Sequence, residues 1–244
     1  MRKFGLIGKK LGHSFSKKYF TAKFERDGIT DAQYDLYELA HAEDLKELLQ
    51  QAPELVGLNV TIPYKQEVIP LLDKLDDAAD RIGAVNTIKI KNGHTTGYNT
   101  DYIGFKDTLE AFYPKEKHGQ ALVLGTGGAS KAICTVLADL GILYTSVSRT
   151  PEQGQLGYEQ LSTEVLQKYN LIVNTTPLGM APNTETLPAI PYEGVTPEHY
   201  AYDIVYNPEK TLFLERCEAA GAKTLNGIGM LYGQAEAAWR IWNS

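Results

Sequence analysis

The residues Ala121-Leu122-Val123-Leu124 run directly into Gly125-Thr126-Gly127-Gly128-Ala129-Ser130, and Lys131-Ala132-Ile133-Cys134-Thr135-Val136-Leu137 follow. An apolar run, a glycine-rich break and apolar residues at helical spacing read as a short buried strand, a tight turn and an amphipathic helix. The first two glycines let the backbone approach a pyrophosphate. The helix N-terminus behind them offers that anion unpaired N–H groups and the positive end of a dipole. The third position of the usual dinucleotide fingerprint holds Ser130 in place of Gly or Ala.

The next strand indicates which dinucleotide. Leu143-Tyr144-Thr145-Ser146-Val147 ends at Ser148-Arg149-Thr150, with Ser148 lying 23 residues beyond Gly125. There an NAD-binding unit places an Asp or Glu for the ribose 2′-hydroxyl. A guanidinium between two hydroxyls suits a 2′-phosphate instead. Gly125, Thr126, Gly127, Gly128, Ala129, Ser130, Ser148, Arg149 and Thr150, with Lys131 as a further donor, are therefore predicted to bind NADP. The plainer reading of Arg149 is an exposed loop arginine.

Strand and helix signals alternate through all 244 residues, the pattern of an α/β chain with room for two modest domains. Strands are predicted at Phe4–Gly8, Tyr34–Leu39, Leu55–Ile62, Leu171–Asn174 and Tyr200–Tyr206. Helices are predicted at Lys17–Asp27, Ala42–Gln51, from Pro63 to about Leu75, and at Asp77–Ile82, Lys210–Ala220 and Met230–Asn243. Asn92-Gly93 between two alternating runs predicts a hairpin whose facing residues sum to 185. The domain boundary falls between Asn99 and Asp107, where hairpin gives way to helix.

A net charge of −6 with scattered Lys and Arg leaves no footprint for nucleic acid. Phe4–Gly8 is far too short for a signal-peptide core and no run is long enough to span a membrane, so the chain is read as cytoplasmic. Cys134 and Cys217 lie far apart and read as buried thiols in a reducing compartment. His13, His41, His94, His118 and His199 show no ligand spacing, so no metal site is predicted.

Polar residues interrupt the apolar pattern at three places. In Leu58-Asn59-Val60-Thr61-Ile62, Asn59 and Thr61 share one face of a strand, and Lys65 follows Pro63 at a helix start, where the dipole disfavours a cation. A half-exposed strand with a solvated lysine explains the same residues. The hairpin register brings Asn86 opposite Asn99 and diagonal to Asp101, so Asn86 and Asp101 are predicted to converge; alternatively Asp101 caps the helix starting near Tyr102. In His13-Ser14-Phe15-Ser16 two hydroxyls share a face if the segment is extended and can donate to a carboxylate, or Ser16 is an N-cap.

These segments together resemble the shikimate dehydrogenase family along nearly the full chain. The resemblance is carried by His13–Ser16, Asn59-Val60-Thr61-Ile62-Pro63-Tyr64-Lys65, Gly83-Ala84-Val85-Asn86-Thr87, Gly97–Gly104, Gly125–Ser130, Ser148–Thr150, Asn174-Thr175-Thr176-Pro177-Leu178-Gly179-Met180 and Gly227-Ile228-Gly229-Met230-Leu231-Tyr232-Gly233-Gln234. It implies an NADP-dependent interconversion of 3-dehydroshikimate and shikimate in aromatic amino-acid biosynthesis. By the same resemblance, Lys65 and Asp101 form the catalytic pair. Ser14, Ser16 and Tyr206 hold the substrate carboxylate side, and Asn59, Thr61, Asn86 and Gln234 bind ring hydroxyls. Thr175, Met180 and Gly227 join the cofactor residues. The implied domains are a substrate-binding α/β domain, 1–100 completed by 227–244 as the last helix returns to it, and a Rossmann-like NADP domain, 101–226. The chain departs from the family pattern at Gly8-Lys9-Lys10-Leu11, at Lys17 in place of proline, and at Ser148 in place of asparagine.

Two rival readings stand beside this one. A quinate/shikimate dehydrogenase would use NAD as well, although small hydroxyl residues at Ser14, Ser16 and Thr61 favour shikimate. A non-catalytic ligand-binding regulator on the same scaffold would need neither Lys65 nor Asp101. The partner is a small-molecule substrate, and both a monomer and a homodimer are compatible with the sequence.

Overall fold

The computed structural model describes residues 1–12 and 14–244, so His13, at the head of the first motif, lies outside the described residues. The backbone divides into two compact units, Met1–Thr100 with Ala235–Ser244, and Asp101–Gln234.

In the first unit, β1 (Arg2–Gly8), α1 (Phe15–Arg26), β2 (Ala32–Glu38), α2 (Leu45–Gln51), β3 (Leu55–Val60), β4 (Lys74–Leu75), α3 (Asp77–Ile82), β5 (Thr87–Lys91) and β6 (His94–Tyr98) build a six-stranded sheet in the order β2-β1-β3-β5-β6-β4. β1 pairs in parallel with β2 and β3, while β5 runs antiparallel to β3 and β6. The two-residue period splits the apolar residues between the faces. Ile7, Leu58, Val60 and Ile88 form one core with Tyr64; Phe4, Leu6, Phe20, Phe24, Tyr34 and Trp242 form the other. The predicted hairpin register holds, with Thr87 opposite Tyr98. Asn92 and Gly93 both have positive φ, as a two-residue turn matching the strand twist requires.

The helix expected from Pro63 to Leu75 does not form. The segment makes a single α-type bond, Val68 N–H to Tyr64 C=O, then a 3-10 turn at Ile69–Leu71 and the short β4. Pro70 supplies no N–H to continue the ladder, so the helix stops after one turn.

In the second unit, α4 (Thr100–Phe112, its first residue belonging to the first unit) leads into β7 (Gln120–Leu124), α5 (Gly128–Asp139), β8 (Tyr144–Ser148), β9 (Leu156–Gly157), α6 (Thr163–Leu166), β10 (Tyr169–Asn174), β11 (Tyr200–Asp203), α7 (Leu212–Ala219), β12 (Lys223–Leu225) and α8 (Ile228–Trp242). The sheet order is β12-β11-β10-β7-β8-β9 with every pairing parallel, a Rossmann-like arrangement. The chain moves outward from β7 through β8 to β9, then returns to the other side of β7 as β10. That reversal is a topological switch point, where the carboxyl ends of the strands leave a crevice. The connection from β8 to β9 contains no helix and spans only residues 149–155.

α8 starts in the second unit and ends in the first. Its beginning crosses α4 closely. A Cβ on Gly104 would lie 2.5 Å from the Met230 carbonyl oxygen, one on Gly233 would lie 3.1 Å from Gly104 Cα, and one on Gly229 would lie 3.0 Å from Thr108 Cγ2. Gly227–Gln234 group with the second unit for this reason. In the first unit, Ala235, Ala238 and Trp242 fill the core around Phe4 and Phe20, so the last turns of α8 complete that core.

No helix among the described residues is long and apolar enough to cross a membrane, and no group of three or more His, Cys, Asp and Glu among them is placed to hold a metal ion. Both cysteines are free; Cys217 is buried and Cys134 partly so.

Candidate functional site

At the switch point of the second sheet lies a cavity of about 610 Å³, lined by the turn after β7 (Gly125, Thr126, Gly127), the end of β8 (Val147, Ser148, Arg149, Thr150), the segment after β10 (Thr175, Thr176, Pro177, Leu178), and Tyr158, Leu187 and Ala189. Its size suits a cofactor-sized ligand. Gly125 has φ +105°, and a Cβ there would meet Thr175 Oγ1 at 2.9 Å, so both the conformation and the close approach of the next loop demand glycine. Thr175 Oγ1 donates to the Leu124 carbonyl at 2.8 Å, tying that loop to the end of β7.

The turn fits an anion. Gly127 caps α5 without a side chain, and the first turn carries no acidic residue. A Cβ at Gly127 or Gly128 would meet nothing within 4 Å, so the glycines leave the backbone bare toward open space. Unsatisfied N–H groups, a positive dipole end and an adjacent guanidinium match the pyrophosphate and 2′-phosphate of a dinucleotide. Ser130 turns inward, its hydroxyl donating to the Gly127 carbonyl at 2.8 Å, and so braces the turn. Gly128, Ala129, Lys131, Met180 and Gly227 do not line this cavity. At Gly227 the constraint is steric, because a Cβ would collide with the Ile204 carbonyl.

In the first unit the predicted polar residues gather at the carboxyl ends of β1 and β3 and the start of β5. The extended reading of the serine segment gives way to a helix start. Ser14 is the N-cap of α1, accepting from Lys17 N–H at 3.2 Å, while Ser16 sits in the first helical turn. The Ser16 hydroxyl lies near the phenol of Tyr34, whose ionisation burial pushes up. Tyr34 donates in turn to Asn59 Oδ1 at 2.7 Å, and Asn59 Nδ2 donates to Thr87 Oγ1 at 3.2 Å and to the Asn86 carbonyl at 3.4 Å. Asn59, expected to bind a ring hydroxyl, thus spends both ends of its carboxamide inside the unit.

Asn86 is oriented by the same network. Its Oδ1 accepts from Thr100 N–H at 2.7 Å, with the hydroxyls of Thr87 and Thr100 each 3.1 Å away. With the oxygen fixed by donors, the amide NH₂ is turned to the opposite side, presented as a donor. The side chain is only 3 % exposed.

Lys65 is half-buried in the turn after Pro63, where its carbonyl accepts from Val85 N–H at 2.7 Å, next to Asn86 in sequence. Thr61, also half-buried, bonds through its N–H to the Ile7 carbonyl at the end of β1. Asp101 lies inside the first turn of α4, which begins at Thr100, so it is not the cap of a helix starting at Tyr102. A carboxylate there is favoured by the helix dipole. Tyr206 is 39 % exposed on the loop after β11, and Gln234 donates to its own helix at the Leu231 carbonyl.

Sequence reasoning missed Tyr34, Thr100, Tyr158, Leu187 and Ala189. Thr87 and Thr100 flank Asn86 in the hairpin register and could have been found from it. Tyr34 could not, because it reaches Asn59 from β2 across the intervening β1, a contact only the strand order reveals.

The family model for the shikimate dehydrogenase substrate binding domain matches residues 6–88. The shikimate dehydrogenase (NADP(+)) of Methanococcus vannielii is 39 % identical, covering 98 % of this chain and 90 % of the relative. The solved shikimate 5-dehydrogenase of Thermus thermophilus, in complex with NADP(H) and shikimate, aligns with a TM-score of 0.86 at 32 % identity, covering 99 % of this chain and 93 % of that one. The quinate dehydrogenase of Corynebacterium glutamicum, in complex with NAD, aligns with a TM-score of 0.88 at 31 % identity over 99 % and 93 %. Likeness sustained over both units establishes that the chain belongs to the shikimate dehydrogenase family.

Proposed function

We propose that the protein interconverts 3-dehydroshikimate and shikimate with NADP as redox partner, within aromatic amino-acid biosynthesis. The observation that carries the cofactor half is the single cavity shared by the bare glycine turn and Arg149. A cofactor without a 2′-phosphate would leave that guanidinium without its ligand. The substrate half rests on family membership.

Bound at the switch point, NADP would supply or accept the hydride. The protein's own task is the proton and the geometry. Lys65 and Asp101 carry the acid–base chemistry: as the ring carbonyl becomes an alkoxide, the Lys65 ammonium stabilises it and a proton is returned to that oxygen. Ser14, Ser16 and Tyr206 bind the carboxylate side, and Thr61, Asn86 and Gln234 bind ring hydroxyls. Asn59 supports Asn86 rather than reaching the substrate, since both its polar atoms already have partners. The residues assigned to the cofactor all belong to the second unit.

The test is a cofactor-absorbance assay that crosses shikimate and quinate with NADP and NAD. Shikimate with NADP should turn over fastest. Quinate with NAD as the best pair would identify the broader enzyme, and no turnover with any pair would identify a binding protein.

A further inference from the structure

The loop that follows Arg149 is poor in cations. From Thr150 to Gln160 there is no Lys or Arg, only Glu152 and Glu159 among charged residues. A 2′-phosphate carries up to two negative charges, and one guanidinium does not exhaust its acceptors. The parallel pairing of β8 and β9 shows what stands beside that guanidinium. Val147 is in register with Leu156 and Ser148 with Gly157, so Arg149 and Tyr158 directly follow the last paired residues of β8 and β9, where Tyr158 opens a short 3-10 turn. Neighbouring strands run about 4.8 Å apart, so the two residues leave the sheet close together. Arg149 and Tyr158 accordingly both line the same cavity. The charge on Arg149 is close enough to be felt by the Tyr158 phenol. The Tyr158 ring packs against the buried cluster of Leu122, Val147 and Phe213, which fixes its position, whereas Arg149 is exposed. The β8–β9 connection has no helix.

We infer that Tyr158 is a specificity-determining residue: its hydroxyl donates to the adenosine 2′-phosphate held by Arg149, as a neutral second donor on that phosphate. The inference rests on the NADP reading above and deepens it. A neutral donor has a consequence that a second cation would not. It adds affinity for the phosphate without drawing other anions into the cavity.

Calorimetric titration with 2′,5′-ADP and 5′-ADP, fragments that differ at the 2′-phosphate, tests this without turnover. In Tyr158→Phe the affinity for 2′,5′-ADP should fall about tenfold, the worth of one hydrogen bond to a charged group. Affinity for 5′-ADP should stay within about twofold of wild type, which also shows that the site is still folded. Equal weakening toward both fragments would mean that the phenol serves the adenosine instead, and no change toward either would mean that it touches neither; both outcomes overturn the assignment. Wild-type protein that binds 2′,5′-ADP no better than 5′-ADP would overturn the NADP reading itself. If Arg149→Ala loses the discrimination while Tyr158→Phe keeps it, the NADP reading stands and the role of Tyr158 falls.

Discussion

The Tyr34 hydroxyl donates to Asn59 Oδ1 at 2.7 Å, and both side chains are at most 5 % exposed. The bond joins two strands that are not neighbours, because β1 lies between them. Through Asn59 the Tyr34 phenol joins Thr87 and Asn86 in one hydrogen-bonded array. Tyr34→Phe leaves a buried carboxamide oxygen without its donor. The variant should lose about 1–3 kcal/mol of stability, read as a lower urea midpoint with an unchanged slope. A change below about 0.5 kcal/mol would show that Asn59 needs no donor there.

For Lys65→Ala and Asp101→Asn the expected loss is in turnover. Acid–base assistance is typically worth about 10²–10⁴-fold, so kcat should fall by that order while KM for shikimate changes little. Losses confined to KM in both variants would remove these residues from the chemistry.

Arg149→Ala should reduce the preference for NADP over NAD about ten- to a hundredfold and spare the use of NAD. The ratio of kcat/KM values for the two cofactors measures it. A ratio left at the wild-type value would place the phosphate elsewhere.

Two glycines should respond oppositely to alanine. Gly127 has φ −76° and open space around a Cβ, so Gly127→Ala should leave Tm unchanged or slightly raised yet weaken cofactor binding by covering the bare backbone. Gly104→Ala drives a Cβ to 2.5 Å from a backbone oxygen of α8 and should cost about 1–3 kcal/mol or more. Thermal unfolding of both, with cofactor titration of the first, checks the contrast.

Asp203 is fully buried at the end of β11 and accepts from Thr211 Oγ1 at 2.6 Å, Asn174 Nδ2 at 3.0 Å and Val205 N–H at 3.0 Å. Burial outweighs these three donors and pushes its carboxyl up to about 6. The native state therefore keeps a proton that the unfolded chain has already released. Stability from this group should fall as pH rises from about 4 to 6 and stay level above, by about 3 kcal/mol in all. Urea unfolding across that range, wild type against Asp203→Asn, should show the slope in the former only. Matching slopes would mean that the three donors prevail.

Legibility from sequence follows the range of the interactions. The glycine turn and the Asn92-Gly93 hairpin are local, and each is set by a few adjacent residues whose φ angles leave little choice, whereas the helix cap read at Ser16 falls two residues earlier, on Ser14. The segment past Pro63 reads as a helix because its apolar spacing is helical and the effect of Pro70 comes late in the pattern. β4, β9 and β12 are two or three residues long and carry no period at all. The cofactor turn is written in consecutive residues, whereas Tyr34 and Tyr158 owe their places to which strands lie side by side, which no local pattern encodes.

The core of the first unit has a consequence for the order in which the chain is made. Trp242 lies against Gly57, where a Cβ would overlap its indole ring, donates to the Ile88 carbonyl at 3.0 Å, and packs on Phe4 and Phe20. A ribosome has therefore synthesised every residue of the second unit before it supplies the indole that closes the first. During translation residues 1–100 hold an open apolar face for the whole time that Asp101–Gln234 is emerging. The part of the protein made first is the part finished last, and that waiting interval is when it is most exposed to chaperones, proteases and its own neighbours on the polysome.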